Sequence, residues 1–483
     1  MATEQEIEEA VLEEFKGIAA IPRPSGHEKA VSDYLYGRLQ ALGCKVMQDE
    51  VFNLIADLPA TKGRENAPLT ILQSHMDMVC VADEGVAYDP LTDPIRLQRS
   101  EKYLTAEGTS LGSDDGIGIA CILYILAHSA AHGPLRAIFT VDEEVGMHGA
   151  TSLAADYLTD ASFLINCDSE DYDQVTVGSA GSVGIDFHRP LTFSSPLEGR
   201  GWKIAVKGLL GGHSGERIGD GRGNAIRTLA LLLASFQEHQ IAFRLAGLQG
   251  GKARNAIPAS AEAVIVSTAD EQALRAVLEE AQQRFLAAYG SVDPAMHIFL
   301  TETPLAKQVF SPADMEAFWQ LVASLHTGVY AMEPVIPGLV ETSANIGMAF
   351  VKDGVLTVTF YPRSTVDSKL REFQQMARIL GRWSGFAVET GEPAPGWKER
   401  TESRLTPMMT RIFEEQNGKP MSVVTIHAGL ECGWHIKKNP ALDMVSIGVT
   451  TKDIHSPKER LVLATVAPQV RLMDETLQRI AAL

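Results

Sequence analysis

Cysteine is scarce in this chain. Five occur among 483 residues (Cys44, Cys80, Cys121, Cys167 and Cys432), mostly within apolar runs and never as a CxxC pair. That argues against a disulfide framework and leaves buried free thiols in a reducing compartment as the economical reading. Long apolar runs are also missing. The longest, Ile117 to Ala127, falls well short of the roughly 20 residues that a membrane-spanning helix needs. Positive charge is in deficit: 42 Lys and Arg stand against 61 Asp and Glu, a formal net charge of -19. Nucleic acid and anionic membranes are therefore excluded as expected partners. The opening residues MATEQEIEEAVLEEF lack the basic and apolar regions of a secretory leader, so a cytoplasmic location is expected.

What is present is size and a scatter of acids and histidines. A single core rarely grows past roughly 250–300 residues, so 483 residues predict two domains. Five short stretches place a His, Asp or Glu where an apolar run stops. They are Ser74-His75-Met76-Asp77, Gly112-Ser113-Asp114-Asp115-Gly116, Val141-Asp142-Glu143-Glu144-Val145, Asn166-Cys167-Asp168 and Asp453-Ile454-His455-Ser456. Four precede residue 170, and only folding can bring the fifth to them.

The N-terminal stretch reads as two amphipathic helices, Gln5–Ala19 and His27–Leu42, split by Pro22, Pro24 and Gly26. Leu69–Gln73, Leu135–Val141 and Phe163–Cys167 read as buried strands, and Gly116–His128 as a helix crossing over a parallel sheet. This alternation predicts an α/β sandwich with a mixed, largely parallel sheet between helices. The acids and His75 then fall at the C-terminal ends of its strands, where such sheets place ligands. From about residue 200 a β-α-β-β-α-β order occurs twice, with the second set sharing the strand near 296–301 or lacking one of its own. The expected organisation is a catalytic domain at 1–186 and 393–483, interrupted at 187–392 by an inserted α+β lid of two similar halves.

Each stretch alone has an ordinary explanation. H-x-D is common at strand ends, an acid opening a helix is ordinarily a cap, and a histidine in a polar loop is ordinarily solvated. Adjacent Glu143 and Glu144 after a buried strand are harder to dismiss, because they repel unless a cation or shared proton relieves them. Jointly, His75, Asp114, Glu144, Asp168 and His455 could hold two ions with one carboxylate bridging. Asp77, two residues from His75 and on the same side of a strand, could orient its ring. Glu143 would be left to carry a proton from water to a leaving amine.

Taken together, HMDMV at 75–79, GSDDGIG at 112–118, DEEVGMHGA at 142–150, NCDSE at 166–170 and DIHSP at 453–457 resemble the motifs of the zinc-dependent M20 metallopeptidases. The likeness is greatest to their aminoacyl-histidine (cytosolic non-specific) dipeptidase branch and extends over essentially the whole chain. The resemblance implies a zinc-dependent exopeptidase fold, and two zinc ions, or manganese or cobalt, on the five residues above. It also implies Asp114 rather than Asp115 as the bridge, Asp77 as orienter and Glu143 as base. In the lid it implies His213 (in GLLGGHSGERI) as oxyanion donor, Asn255 (in GKARNAIP) as substrate donor and Arg363 (in YPRS) for a terminal carboxylate. It further implies that Gly429, in IHAGLECG, allows close approach of the backbone. A solvated Arg and a simple Gly-Gly-His turn remain open alternatives, and His427, Glu431, Cys432 and His435 read as substrate loop and packing. The expected activity is hydrolysis of unblocked dipeptides, including Xaa-His, by a homodimer. The alternative is an N-acyl-amino-acid deacylase. A binding protein without catalysis would lack Glu143 or a ligand, and neither is missing.

Overall fold

The computed structural model describes residues 2–334, 338–398, 400 and 402–483. The chain forms two compact units, one of Met1–Ser179, Trp397–Thr425 and Leu430–Leu483, the other of Ala180–Gly396 and Ile426–Gly429.

The first unit is built on a mixed eight-stranded sheet. Its spatial order is Lys45–Gln48, Leu54–Leu58, Leu135–Thr140, Thr70–His75, Phe163–Asn166, Asp443–Ser446, Gln174–Ser179 and Ser422–Ile426. The four strands from Leu135–Thr140 to Asp443–Ser446 run parallel. Thr70–His75, Leu135–Thr140 and Phe163–Asn166 are buried along their whole length, as strands covered on both faces require. Glu4–Ala19, Ser113–His128 and Val466–Ile480 pack on one another and share a continuous apolar core with the sheet. A capping box between Thr3 and Glu6 starts the first of these helices. Ser113–His128 is apolar nearly all round because those helices and the strand Thr70–His75 enclose it. Parallel register sets His75 beside Thr140 and Gln73 beside Asn166, so the strands release their loops side by side.

The second unit is an α+β layer on a ten-stranded sheet. Its first half runs Arg200–Lys207, helix Ala225–Glu238, Phe243–Gly250, Ala261–Ser267, helix Glu271–Tyr289 and His297–Thr303. In the sheet the four strands lie in the order fourth, first, third, second. The other half has strands Val340–Lys352, Val355–Ser364, Ile185–Pro190 and Ala387–Thr390 side by side, with helices Pro312–Ser324 and Asp367–Ser384. Its order is second, third, first, fourth, the mirror of the first half, and the two join where Gln249 and Gly250 pair with Phe350 and Ala349. The second set therefore has its own opening strand and does not share the one near 296–301. That strand, Ile185–Pro190, precedes the entire first half, so one half is threaded inside the other. A six-residue strand ending in Pro190, with only Ile185 and Phe187 buried, carries little apolar signal.

Candidate active site

Four loops at the C-terminal edge of the parallel strands, and a fifth from the end of the chain, converge in the first unit. His75 ends its strand and is buried. Its Nε2 lies 3.1 Å from Asp114 Oδ1 and 3.7 Å from Asp168 Oδ1, while Nδ1 faces Asp77 Oδ1 at 3.3 Å. His455 sits in the turn between Thr451–Lys452 and Arg460–Val462 with φ +58°. Its Nε2 lies 3.1 Å from Asp114 Oδ2 and 2.8 Å from Glu144 Oε1. Asp114 thus presents one oxygen to each histidine. Ligand atoms of His75, Asp114 and Glu144 all lie within 4.8 Å of one another.

The structure separates Asp114 from its neighbour. Both have non-helical backbones, so the helix proper begins after them and the two side chains diverge. Asp115 is buried and accepts from Ser74 Oγ at 2.6 Å. Its carboxyl is pushed up to about 7 by burial. Asp114 is also raised by burial, but the hydrogen bonds from His455 and His75 outweigh that and hold it well below the usual carboxylate range.

Asp77 does more than face His75. It accepts from Ser25 Oγ at 2.7 Å and from the backbone N–H groups of Glu143 and Glu144 at 3.0 and 3.2 Å. One carboxylate therefore sets both the histidine and the turn that opens the short helix Glu143–Gly146. Burial pushes Glu143 well above its ordinary value, and the charges of Asp168 and Glu144 push the same way. Asp168 is raised for the same first reason. Burial lowers His75 and His455, but their carboxylate neighbours outweigh it, and His455 reaches about 11.

Crowded carboxylates that burial drives toward protonation, with imidazole nitrogens among them, form an N/O donor set that fits divalent cations. Among the described residues, one other group of three has cation-holding spacing, Glu28, Asp77 and Asp142. Glu28 already accepts from the N–H groups of Gly26 and Asp142.

Two buried charges, Arg23 and Glu459, escape the sequence reading, and a third, Glu431, reads there only as substrate loop and packing. Arg23 donates through Nη1 to the carbonyls of Met76 and Asp77, both at 2.8 Å, and through Nη2 to that of Gly112. Gly112 must be glycine here: its φ is +70° and an added Cβ would stand 2.6 Å from Arg23 Nη2 and from Met78 Sδ. Glu459 accepts from backbone N–H groups of the same loop. Glu431, fully buried, accepts from Gln73 Nε2 at 2.5 Å and Thr140 Oγ1 at 2.7 Å. The letter of an isolated Arg or Glu gives no sign of the distant partners that bury it. His435, also fully buried, is pushed down to about 3 by burial.

Glu431 gives a pH signature. Burial pushes its carboxyl up to about 7 from 4.5, so between those values the folded state holds a proton that the unfolded chain has lost. Stability of metal-free protein then falls as pH rises through that window, by about 3 kcal/mol in full. Glu431→Gln removes this slope, so urea-unfolding free energies of variant and wild type should diverge from pH 5 to 8 in the variant's favour. Parallel curves would count against it.

In the second unit, His213 and Arg363 come together, with Nη2 of Arg363 3.3 Å from Nε2 of His213. Arg363 is buried, its guanidinium 5.0 Å from the Tyr361 ring centroid, and among the described residues it makes no ion pair. Burial lowers its pKa. Asn255 is exposed beside the pairing of His213 with Ala256, and its carbonyl accepts from Ser214 N–H at 2.8 Å. Gly429 is half-buried just past His427, whose Nε2 lies 2.7 Å from Ser343 Oγ.

Residues 71–479 match the family described as Peptidase family M20/M25/M40. The chain belongs to this family. As an M20 peptidase it is 34% identical over 473 residues to the cytosol non-specific dipeptidase of Escherichia coli K12, covering 97% of each chain. It is also similar to the crystal structure of aminoacylhistidine dipeptidase from Vibrio alginolyticus. There the TM-score is 0.83 and the identity 34%, over 97% of this chain and 96% of the other. Human carnosine dipeptidase 1 shares the M20 fold at 12% identity, with a TM-score of 0.54 and 99% of both chains covered.

Proposed function

We propose that this M20 peptidase is a two-metal dipeptidase hydrolysing unblocked dipeptides, Xaa-His among them, with Glu143 as general base. The observation that carries the reading is Asp114, one oxygen to each histidine, beside a Glu143 carboxyl that no ion pair neutralises among the described residues. His75, Asp114 and Asp168 would hold one ion, and His455, Glu144 and Asp114 the other. Zinc suits these donors best, with manganese or cobalt as substitutes. When bound, such ions polarise a carbonyl and lower the pKa of a water. Asp77 keeps Nε2 of His75 directed at the site through its hold on Nδ1. Glu143 takes the proton of the attacking water and returns it to the leaving amine, a task suited to a carboxyl raised toward neutrality. Arg363 would receive the substrate's terminal carboxylate, His213 and Asn255 would donate to substrate oxygens, and Gly429 would leave room for its backbone. The two relatives at 34% identity are both named dipeptidases, which favours peptides over N-acyl amino acids and a cytosolic setting.

Incubation with Ala-His and with N-acetyl-histidine, followed by amine detection and metal analysis of the same sample, tests the reading. Cleavage of Ala-His with two ions per chain is expected, lost on chelation and restored by zinc. Cleavage confined to N-acetyl-histidine would make the protein a deacylase. Arg363→Ala should raise KM for free dipeptides about tenfold or more while sparing C-terminal amides, since a charge-assisted hydrogen bond contributes roughly 1.5–3 kcal/mol. An unchanged preference for the free carboxylate would remove Arg363 from that role.

A further inference from the structure

Glu459 is a buried carboxylate for which the proposed chemistry has no use. It is 2% exposed and lies four residues beyond His455, yet it reaches into a different loop. Its Oε2 accepts from the N–H groups of Leu111 and Gly112 at 2.8 and 3.0 Å. Its Oε1 accepts from Ser113 N–H at 2.9 Å and Ser113 Oγ at 3.0 Å. Successive backbone N–H groups pointing into one concavity make a nest for an anion, and here the anion comes from the chain itself. Burying a carboxylate this way is costly unless each lone pair is used, so the contact is demanding in geometry.

What the carboxylate joins is informative. On one side is the turn holding His455, where Asp453 and His455 both have positive φ. The side chain of His455 is 43% exposed, and among the described residues its only hydrogen-bond partners are Asp114 and Glu144. On the other side is the Gly112 turn, two residues before Asp114. The peptide group between Gly112 and Ser113 is gripped at both ends, its N–H, that of Ser113, by Glu459 and its carbonyl, that of Gly112, by Arg23. Arg23 in turn holds the carbonyls of Met76 and Asp77, next to His75. A carboxylate, one peptide group and a guanidinium thus connect the loops of both histidines through the loop of the aspartate between them.

We infer that Glu459 is a positioning residue that fixes His455 relative to Asp114 and thereby sets the affinity of the His455 side of the metal pair. This rests on the ligand assignment proposed above. Glu459→Gln keeps the shape but turns an amide donor toward backbone N–H groups, spoiling the nest without opening a cavity. Loss of an outer partner of a metal ligand typically weakens binding roughly 10–100-fold.

The test is zinc titration by calorimetry at buffered free zinc, with ions counted on the same samples. Wild type should hold two ions. Glu459→Gln should hold one tightly and the second about 10–100-fold more weakly, while Lys458→Ala, an exposed neighbour, should retain both. In a His455→Ala background, adding Glu459→Gln should change the remaining ion's affinity by less than about twofold, because a residue acting through His455 has nothing further to lose. Two ions at unchanged affinity in Glu459→Gln would overturn the inference, and so would loss of both ions or an additive effect in the double variant. Wild type that holds no ion pair would instead refute the ligand assignment.

Discussion

Glu143→Gln should lower kcat on a dipeptide about a thousandfold while both metal ions stay bound. General acid–base catalysis typically contributes 10²–10⁴-fold, and this residue is assigned both the uptake of the water's proton and its delivery to the amine. The metal content should survive because, among the described residues, Glu143 makes no hydrogen bond or ion pair with either histidine. Its backbone N–H donates to Asp77 and its carbonyl accepts from Met147 N–H, and the glutamine variant retains both. The amide cannot accept and pass on a proton, so the loss should fall on kcat, with KM little changed. Turnover within tenfold of wild type, at full metal occupancy, would remove Glu143 as the base.

Asp114→Asn should act on the opposite quantity. The wild-type carboxylate offers one oxygen to His75 and one to His455, and both hydrogen bonds keep it ionised. An asparagine has one oxygen and one NH₂, so whichever way it turns, one side meets a donor. Affinity for at least one ion should fall by more than the 10–100-fold seen on losing an outer partner, and turnover should vanish with the metal. Excess zinc should restore activity only in part. The two variants form a pair: one keeps its ions and loses chemistry, the other loses ions first. An Asp114→Asn protein that holds two ions at wild-type affinity would transfer the bridging role elsewhere.

Much of the catalytic fold is legible because its strands are covered on both faces. Largely apolar runs such as Leu135–Val141 and Phe163–Cys167 read as interior strands, and the acids that follow them stand out. The edge is harder to read. Lys45–Gln48 alternates exposed and half-buried residues, and Ser422–Ile426 is exposed at its start, so neither announces a strand. Within the site, spacing alone does not distinguish Asp114 from Asp115. The choice depends on where a non-helical turn aims two adjacent side chains. Arg23 and Glu459 are illegible for another reason. Their partners lie in distant segments, and a buried charge uses the same letter as a solvated one.

The strand Asp443–Ser446 sits between Phe163–Asn166 and Gln174–Ser179 in the catalytic sheet. During synthesis, both of those neighbours emerge long before it does. At about 5–20 residues per second, the intervening chain takes roughly 13–53 s to make. For most of that time Gln174–Ser179 lacks both of its sheet neighbours, since Ser422–Ile426 is also made late, and the nascent sheet ends at Phe163–Asn166, an open edge of the kind that invites pairing with the wrong chain. Under the proposed assignment the same delay withholds His455, so the ribosome-bound chain cannot assemble a complete site and cannot hydrolyse peptides before its catalytic sheet is whole.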